Sequence, residues 1–274
     1  MSDNVSKSNN RSYLKLLQIT DTHLFSGEAE DLLGVDTLKS FTAVVSKILE
    51  GPIDFDAILA TGDISQDQSA TSYLKFIKGI EPLRQPCFWL PGNHDYSPTM
   101  TYIALNSQVS SSPHFLAGDV WQVIILDSQF EGAPHGYLRY EELALLDDRL
   151  TKHVDRHTLI LLHHHPILVG SAWLDQHALK RRAYFWKIIS HHDNVRAVLC
   201  GHVHQEIVKY INNTTFISTP STCIQFKRCS DDFAVDFLPP GWRELYLHDD
   251  GTLTTEVKRL PDGQFLPDFY SNGY

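Results

Sequence analysis

Seven short apolar runs, each five to eight residues long and each stopping abruptly at polar residues, constrain this chain most. They are Tyr13–Thr20, Asp56–Thr61, Cys87–Pro91, Val120–Asp127, Thr158–Leu162, Val195–Cys200 and Thr215–Thr219. Runs of this length, rich in Ile, Leu and Val, suit strands buried on both faces. Helix-like stretches alternate with them: Thr37–Glu50, which Gly51-Pro52 stops, then Tyr140–Leu150 and Leu179–Ser190. Near the end, Trp242–His248 and Thr252–Lys258 flank Asp249-Asp250-Gly251, a β-hairpin signal. The expectation is an α/β fold with layered sheets and helices outside.

There is no internal repeat, low-complexity linker or composition break, so residues 13–274 read as one domain. Residues 1–12 (MSDNVSKSNNRS) are polar throughout and read as a disordered lead-in. They contain no apolar signal segment, and no stretch approaches 18 apolar residues, so no membrane span is expected and the chain reads as cytoplasmic. The four cysteines form no CxxC pair and read as reduced thiols. Thirty-three acidic against 23 basic residues give a net charge of −10. That excludes a broad nucleic-acid-binding face. It also means that an anionic substrate needs an attractor other than Lys or Arg, and 15 histidines point to one.

The polar residues after the runs carry the chemistry. Asp21-Thr22-His23 follows the first strand, Gly62-Asp63 the second and Gly92-Asn93-His94-Asp95 the third. His163-His164-His165-Pro166 follows Thr158–Leu162, and Gly201-His202-Val203-His204 follows Val195–Cys200. Each alone is as readily a turn or a helix cap. Five strand ends that all deliver Asp, Asn or His form one pattern, because ligands of open α/β sheets gather at the carboxyl ends of strands. Mixed imidazole and oxygen donors suit iron, manganese or zinc better than calcium. Two such cations, roughly 3.5–4 Å apart, clamp the attacking and leaving oxygens of a phosphoryl displacement. They also add about +4 of local charge, enough to reverse an acidic field.

As a set, these motifs resemble the calcineurin-like metallophosphoesterase superfamily. The segments LQITDTHL, ATGDISQDQS, WLPGNHD, LDSQ with PHG, LLHHHP, SAWLDQH, CGHVHQE, STPSTCIQF and PGWREL resemble its bacterial class III 3′,5′-cyclic AMP phosphodiesterases over nearly the whole chain. The resemblance implies a four-layer α-β-β-α sandwich with the C-terminal β-hairpin, and two divalent transition-metal ions, Fe2+ or Mn2+ before Zn2+. It implies that Asp21, His23 and His204 hold one metal, that Asn93, His164 and His202 hold the other, and that Asp63 bridges them. The His-x-Pro spacing selects His164; His163 sits one residue earlier and points to the other face if the strand continues.

By the same resemblance, cyclic AMP becomes 5′-AMP by in-line attack of a hydroxide generated at the metals. The phosphate lies against His23, Asp63, Asn93, His94 and His204. His94 hydrogen-bonds the phosphate or protonates the leaving oxygen, and Asp95 orients His94. His135, Trp173 and Asp127 are softer candidates, each with a structural reading of equal weight. His153, His157, His191 and His192 read as solvated surface residues. The partner is a small cyclic nucleotide, with no nucleic acid and no membrane; a homodimer is left open. The alternatives are another small phosphoester on the same scaffold, or a silent metallo-fold that binds a partner, which predicts missing ligands where none are missing.

Overall fold

Pleat parity sorts the strand residues of this computed structural model into layers. The structure describes residues 4–7, 11–105, 107–271 and 273. One sheet of six strands runs in the order β15 (Leu253–Arg259), β14 (Gly241–His248), β2 (Tyr13–Ile19), β5 (Ala57–Ala60), β6 (Cys87–Trp89), β7 (Val109–Ser110). The other, of seven, runs β1 (Asn4–Val5), β8 (His114–Ala117), β9 (Trp121–Ile125), β10 (His157–Leu161), β11 (Val195–Cys200), β13 (Thr214–Ser218), β12 (Ile207–Ile211). A two-stranded ribbon, β3 (Asp31–Leu32) with β4 (Val35–Asp36), precedes α1 (Thr37–Leu49).

Successive side chains on each strand serve different layers. Leu16, Leu59 and Phe88 of the first sheet meet Val123, Leu159, Leu161 and Leu199 of the second in one core between the sheets. The alternate residues Leu17, Ile58 and Trp89 pack outward on Phe41 and Val44 of α1 and on Tyr73 and Phe76 of α2 (Ala70–Ile80). On the far side, Ile124, Ile160 and Val198 pack on Leu146 and Leu150 of α4 (Tyr140–Lys152) and on Phe185 of α6 (Arg182–Ile189). The expected four-layer α-β-β-α sandwich is therefore observed. Two short helices, α3 (Ser97–Ala104) and α5 (Ala172–Asp175), sit in the loops.

Parallel pairing aligns the strand ends. Ile19 lies opposite Ala60, and Ala60 opposite Trp89. Leu161 lies opposite Leu199, and Cys200 opposite Ser218. The polar segments that follow thus emerge at the same edge of both sheets. The hairpin joins β2 through antiparallel β14.

Two expectations need correction. The described part of the lead-in is ordered: Asn4–Val5 pairs parallel with β8, and Val5 enters the core between the sheets. Arg11 Nη2 donates to Asp56 Oδ1 at 2.6 Å, and Lys7 Nζ to Asp249 Oδ1 at 2.8 Å. One apolar side chain on an open strand edge, plus two ion pairs, anchors a segment whose composition looks disordered. Residues 1–3 and 8–10 of that expectation lie outside the described residues. The last helix starts at Arg182 instead of Leu179, because the Leu179 and Lys180 amides are committed to the carbonyls of His165 and Gly136. All four cysteines are free, with Cys87, Cys200 and Cys223 buried. Among the described residues no helix is long and apolar enough to cross a membrane.

Leu159 is fully buried between the sheets, whereas Val208 on β12 is 43% exposed. Leu159→Ala is expected to cost about 2–5 kcal/mol in urea unfolding, and Val208→Ala less than about 0.5 kcal/mol.

Candidate metal centre

The turns that end the strands hold an unusual backbone. Asp21, His23, Asp63, His202 and His204 all have positive φ, between 46° and 67°. For residues with a Cβ this costs about 1–3 kcal/mol each and persists only where the surroundings enforce it. Here the turns brace one another: the Asp21 amide donates to Gly62 O at 3.0 Å and the His23 amide to Asp63 O at 2.9 Å. Gly92 packs so closely on the second turn that a Cβ there would lie 2.1 Å from Asp63 Oδ1.

Around Asp21, His23 and His204 the donor atoms lie within 4.8 Å of one another, all buried. His204 Nδ1 faces the carbonyl of Ile224 at 2.9 Å, and His23 Nδ1 faces Gln66 Oε1 at 2.7 Å. A carbonyl only accepts, so each ring carries a proton on Nδ1 and turns Nε2 toward the other groups. Those two Nε2 atoms stand 3.2 Å apart, and His204 Nε2 is 3.3 Å from Asp21 Oδ1. Burial holds His23 down to about 3, so it is neutral. Asp21, although burial raises it, is held below the usual range chiefly by His204 and so is ionised. Two imidazole Nε2 atoms and an ionised carboxylate facing one another fit a cation.

The second cluster gathers on Asp63. His163 Nε2 lies 3.2 Å from Asp63 Oδ2 and 3.2 Å from Asn93 Oδ1. Its Nδ1 donates to Thr61 O at 2.8 Å. His164 Nδ1 instead meets Ser128 Oγ at 2.8 Å, and its Nε2 is buried without a hydrogen-bond partner, as is His202 Nε2. The ring centres of His164 and His202 are 4.7 Å apart. Parity explains the difference: His163 continues the inward series Leu159, Leu161, and His164 the outward series Ile160, Leu162. His163, which the His-x-Pro spacing passed over, is the one that meets Asp63 and Asn93, and strand alternation was the signal that could have found it; the donor atoms of His163, His164 and His202 all lie within 4.8 Å of one another. Burial opposes a charge on His163, but Asp63 outweighs it and lifts the imidazole to about 9. In the metal-free protein a proton thus takes the place of a cation. Burial keeps His164 and His202 neutral. The donor set fits divalent metal ions at both clusters.

His94 is half-buried beside these groups, its ring centre 5.1 Å from that of His23, and its amide donates to Asp63 Oδ1 at 2.8 Å. Asp95 is engaged with the backbone. Its carboxylate accepts from the amides of Gly92 at 2.8 Å, Ser65 at 2.9 Å and Ile64 at 3.2 Å, stapling two turns together. Burial, then Asp63, raises Asp95 to about 7.

Gln129, which sequence reading did not single out, clamps the same turn. Its Nε2 donates to Gly92 O and Asp95 O at 2.7 and 2.6 Å. Asp127 binds the Gln129 amide and pairs with Arg139, so it supports that clamp. His135 stacks on Phe130. Trp173 has the structural role and also faces open space. It packs edge-on against Phe226 and Phe233, and it lines a cavity of about 450 Å3 whose floor includes Asp63, Asn93, His94 and His202. Phe226 also stacks on the His204 ring at 4.2 Å.

A dinuclear-type donor set at the shared edge of two sheets is the mark of a metallophosphoesterase, and residues 14–206 match the family model described as calcineurin-like phosphoesterase. The chain belongs to that family. Over 261 residues, 95% of each chain, it is 52% identical to the 3′,5′-cyclic adenosine monophosphate phosphodiesterase CpdA of Vibrio vulnificus. It is 47% identical to the protein of that name from Escherichia coli K12, again over 95% of each chain. A dimetal phosphatase from Danio rerio shares the fold, with a TM-score of 0.66 at 14% identity over 98% of this chain and 100% of that one.

The raised His163 fixes a sign. Its proton must leave when a cation binds, so apparent Mn2+ affinity is expected to fall as pH falls below about 9, by about tenfold per unit for that one proton. Calorimetric titrations of metal-free protein between pH 6 and 9 check this; affinity independent of pH would contradict it.

Proposed function

We propose that the protein hydrolyses 3′,5′-cyclic AMP to 5′-AMP with a pair of divalent metal ions, Mn2+ or Fe2+ in preference to Zn2+. The observation that carries the reading is the convergence of buried metal-type donors beside a cavity with an aromatic wall. The names of relatives at 47–52% identity over 95% of the chain support the substrate. Asp21, His23, His204 and bridging Asp63 hold one ion. Asp63, Asn93, His163 and His202 hold the other, with His163 in place of His164.

Bound there, the ions lend Lewis acidity to the phosphoryl oxygens and ease deprotonation of water. The protein does the rest. Asp63 and Asn93 fix the floor on which the phosphate lies. Trp173, Phe226 and Phe233 offer apolar ring surface to the adenine, which suits stacking. Water adds to phosphorus, the bond from phosphorus to O3′ breaks, and His94 gives its proton to O3′ as the bond parts. The proton of the attacking water restores His94, so one water is consumed per 5′-AMP formed. Free cysteines, three of them buried, suit a reducing cytoplasm.

The test is turnover of cyclic AMP after dialysis and metal add-back. Activity restored by Mn2+ or Fe2+ is expected; no cyclic AMP hydrolysis with any divalent metal would overturn the reading. His94→Ala is expected to keep its metals and lose about 10²–10⁴-fold in kcat on cyclic AMP. The loss on bis-p-nitrophenyl phosphate should be much smaller, since p-nitrophenolate leaves without a proton. Equal losses on both substrates would make His94 a phosphate clamp.

A further inference from the structure

Arg243, on β14, is 1% exposed and, among the described residues, forms no ion pair. Its Nη2 donates to Ser218 O at 2.8 Å, its Nη1 to Thr255 Oγ1 at 3.0 Å and its Nε to Thr219 Oγ1 at 2.9 Å. A buried guanidinium without a carboxylate is costly. Burial lowers it to about 10, which still leaves it charged at neutral pH.

The Nε bond begins a chain. Thr219 Oγ1 donates to Gln18 Oε1. Gln18 Nε2 donates to Thr61 Oγ1 at 2.8 Å, Thr61 Oγ1 to Thr20 Oγ1 at 2.7 Å, and Thr20 Oγ1 to Asp21 Oδ2 at 2.7 Å. Every link is fully buried. Each hydroxyl accepts once and donates once, so all the bonds point the same way, from the cation to the carboxylate. The amide orientation of Gln18 is fixed independently, since Nε2 also reaches the carbonyl of Cys200 at 3.2 Å. Gly201 gives the chain its room: a Cβ there would lie 2.3 Å from Thr20 Oγ1 and 2.7 Å from Asp21 Oδ2.

We propose that Arg243 is a positioning residue for Asp21, acting through Thr219, Gln18, Thr61 and Thr20 to hold Oδ2 so that Oδ1 is presented to the metal beside His204. The inference rests on the metal reading of Asp21. Aligned bonds polarise one another, and both ends are charge-assisted. The C-terminal hairpin thereby supports the site from the neighbouring strand of the same sheet, where Arg243 lies opposite Gln18.

The experiment is Mn2+ titration calorimetry on metal-free protein, with circular dichroism and thermal melts reporting the fold. Thr20→Val keeps shape and removes one link; Arg243→Met removes the source. Each is expected to weaken Mn2+ binding by about 10–100-fold, and the double variant to bind no more weakly than the worse single one. Thr42→Val, on the exposed face of α1, should bind as the wild type does. An Arg243→Met protein that melts lower but binds Mn2+ like the wild type would overturn the proposal, as would losses that multiply in the double variant. If Arg243→Met fails to fold, Thr61→Val takes its place in the same cycle, and unchanged binding there overturns the proposal. A wild type that binds Mn2+ alongside variants that bind equally well rejects this inference alone. A wild type that binds none removes the metal reading with it.

Discussion

Metal-type donors buried against one another at the strand ends are reconciled by a cation, and the strand-end architecture exists around that requirement. Asp21 Oδ1, His23 Nε2 and His204 Nε2 form one such meeting, and Asp63, Asn93 and His163 Nε2 another. The backbone carbonyls of Thr61 and Ile224 take the Nδ1 protons, which orients the rings and turns Nε2 inward. The same donors answer the charge problem of an acidic chain with an anionic substrate, since cations held there outweigh the net −10 locally.

Holding ligands from two sheets on one spot strains the chain. Five candidate ligands, Asp21, His23, Asp63, His202 and His204, adopt a backbone that favours glycine. Hydrogen bonds between turns offset the strain: Asp95 joins the second turn to the third, Gln129 clamps the third from the opposite sheet, and the Asp21 and His23 amides tie the first to the second. The parts of the fold distant from the chemistry set those turns by register. Aligned parallel strands release their ends together, and the four apolar layers keep the two sheets from sliding.

Much of this was legible in the sequence because the signals are strong and local. Short continuous apolar runs suit strands buried on both faces, and their abrupt polar ends place the candidate ligands at one edge. What was not legible has physical causes. His163 and His164 are chemically identical neighbours, so motif spacing favoured one; the pleat decides, and its parity is anchored upstream by Leu159 and Leu161. Asp95 looked like a partner for the adjacent ring, yet its carboxylate serves amides about thirty residues earlier. The two-residue strand Asn4–Val5 is too short for any periodicity to register. The aromatic wall brings Trp173 of α5 against Phe226 and Phe233 of the connection between β13 and β14, a proximity that no spacing encodes.

The central claim is a two-cation centre that shares Asp63 and uses His163. An anomalous-difference map from crystals grown with Mn2+ tests it most directly. The account predicts two peaks roughly 3.5–4 Å apart, one beside Asp21, His23 and His204, the other bonded to Asn93, His202 and His163 Nε2, with Asp63 touching both. A single peak, or a second peak bonded to His164 with His163 left on Thr61 alone, would contradict it.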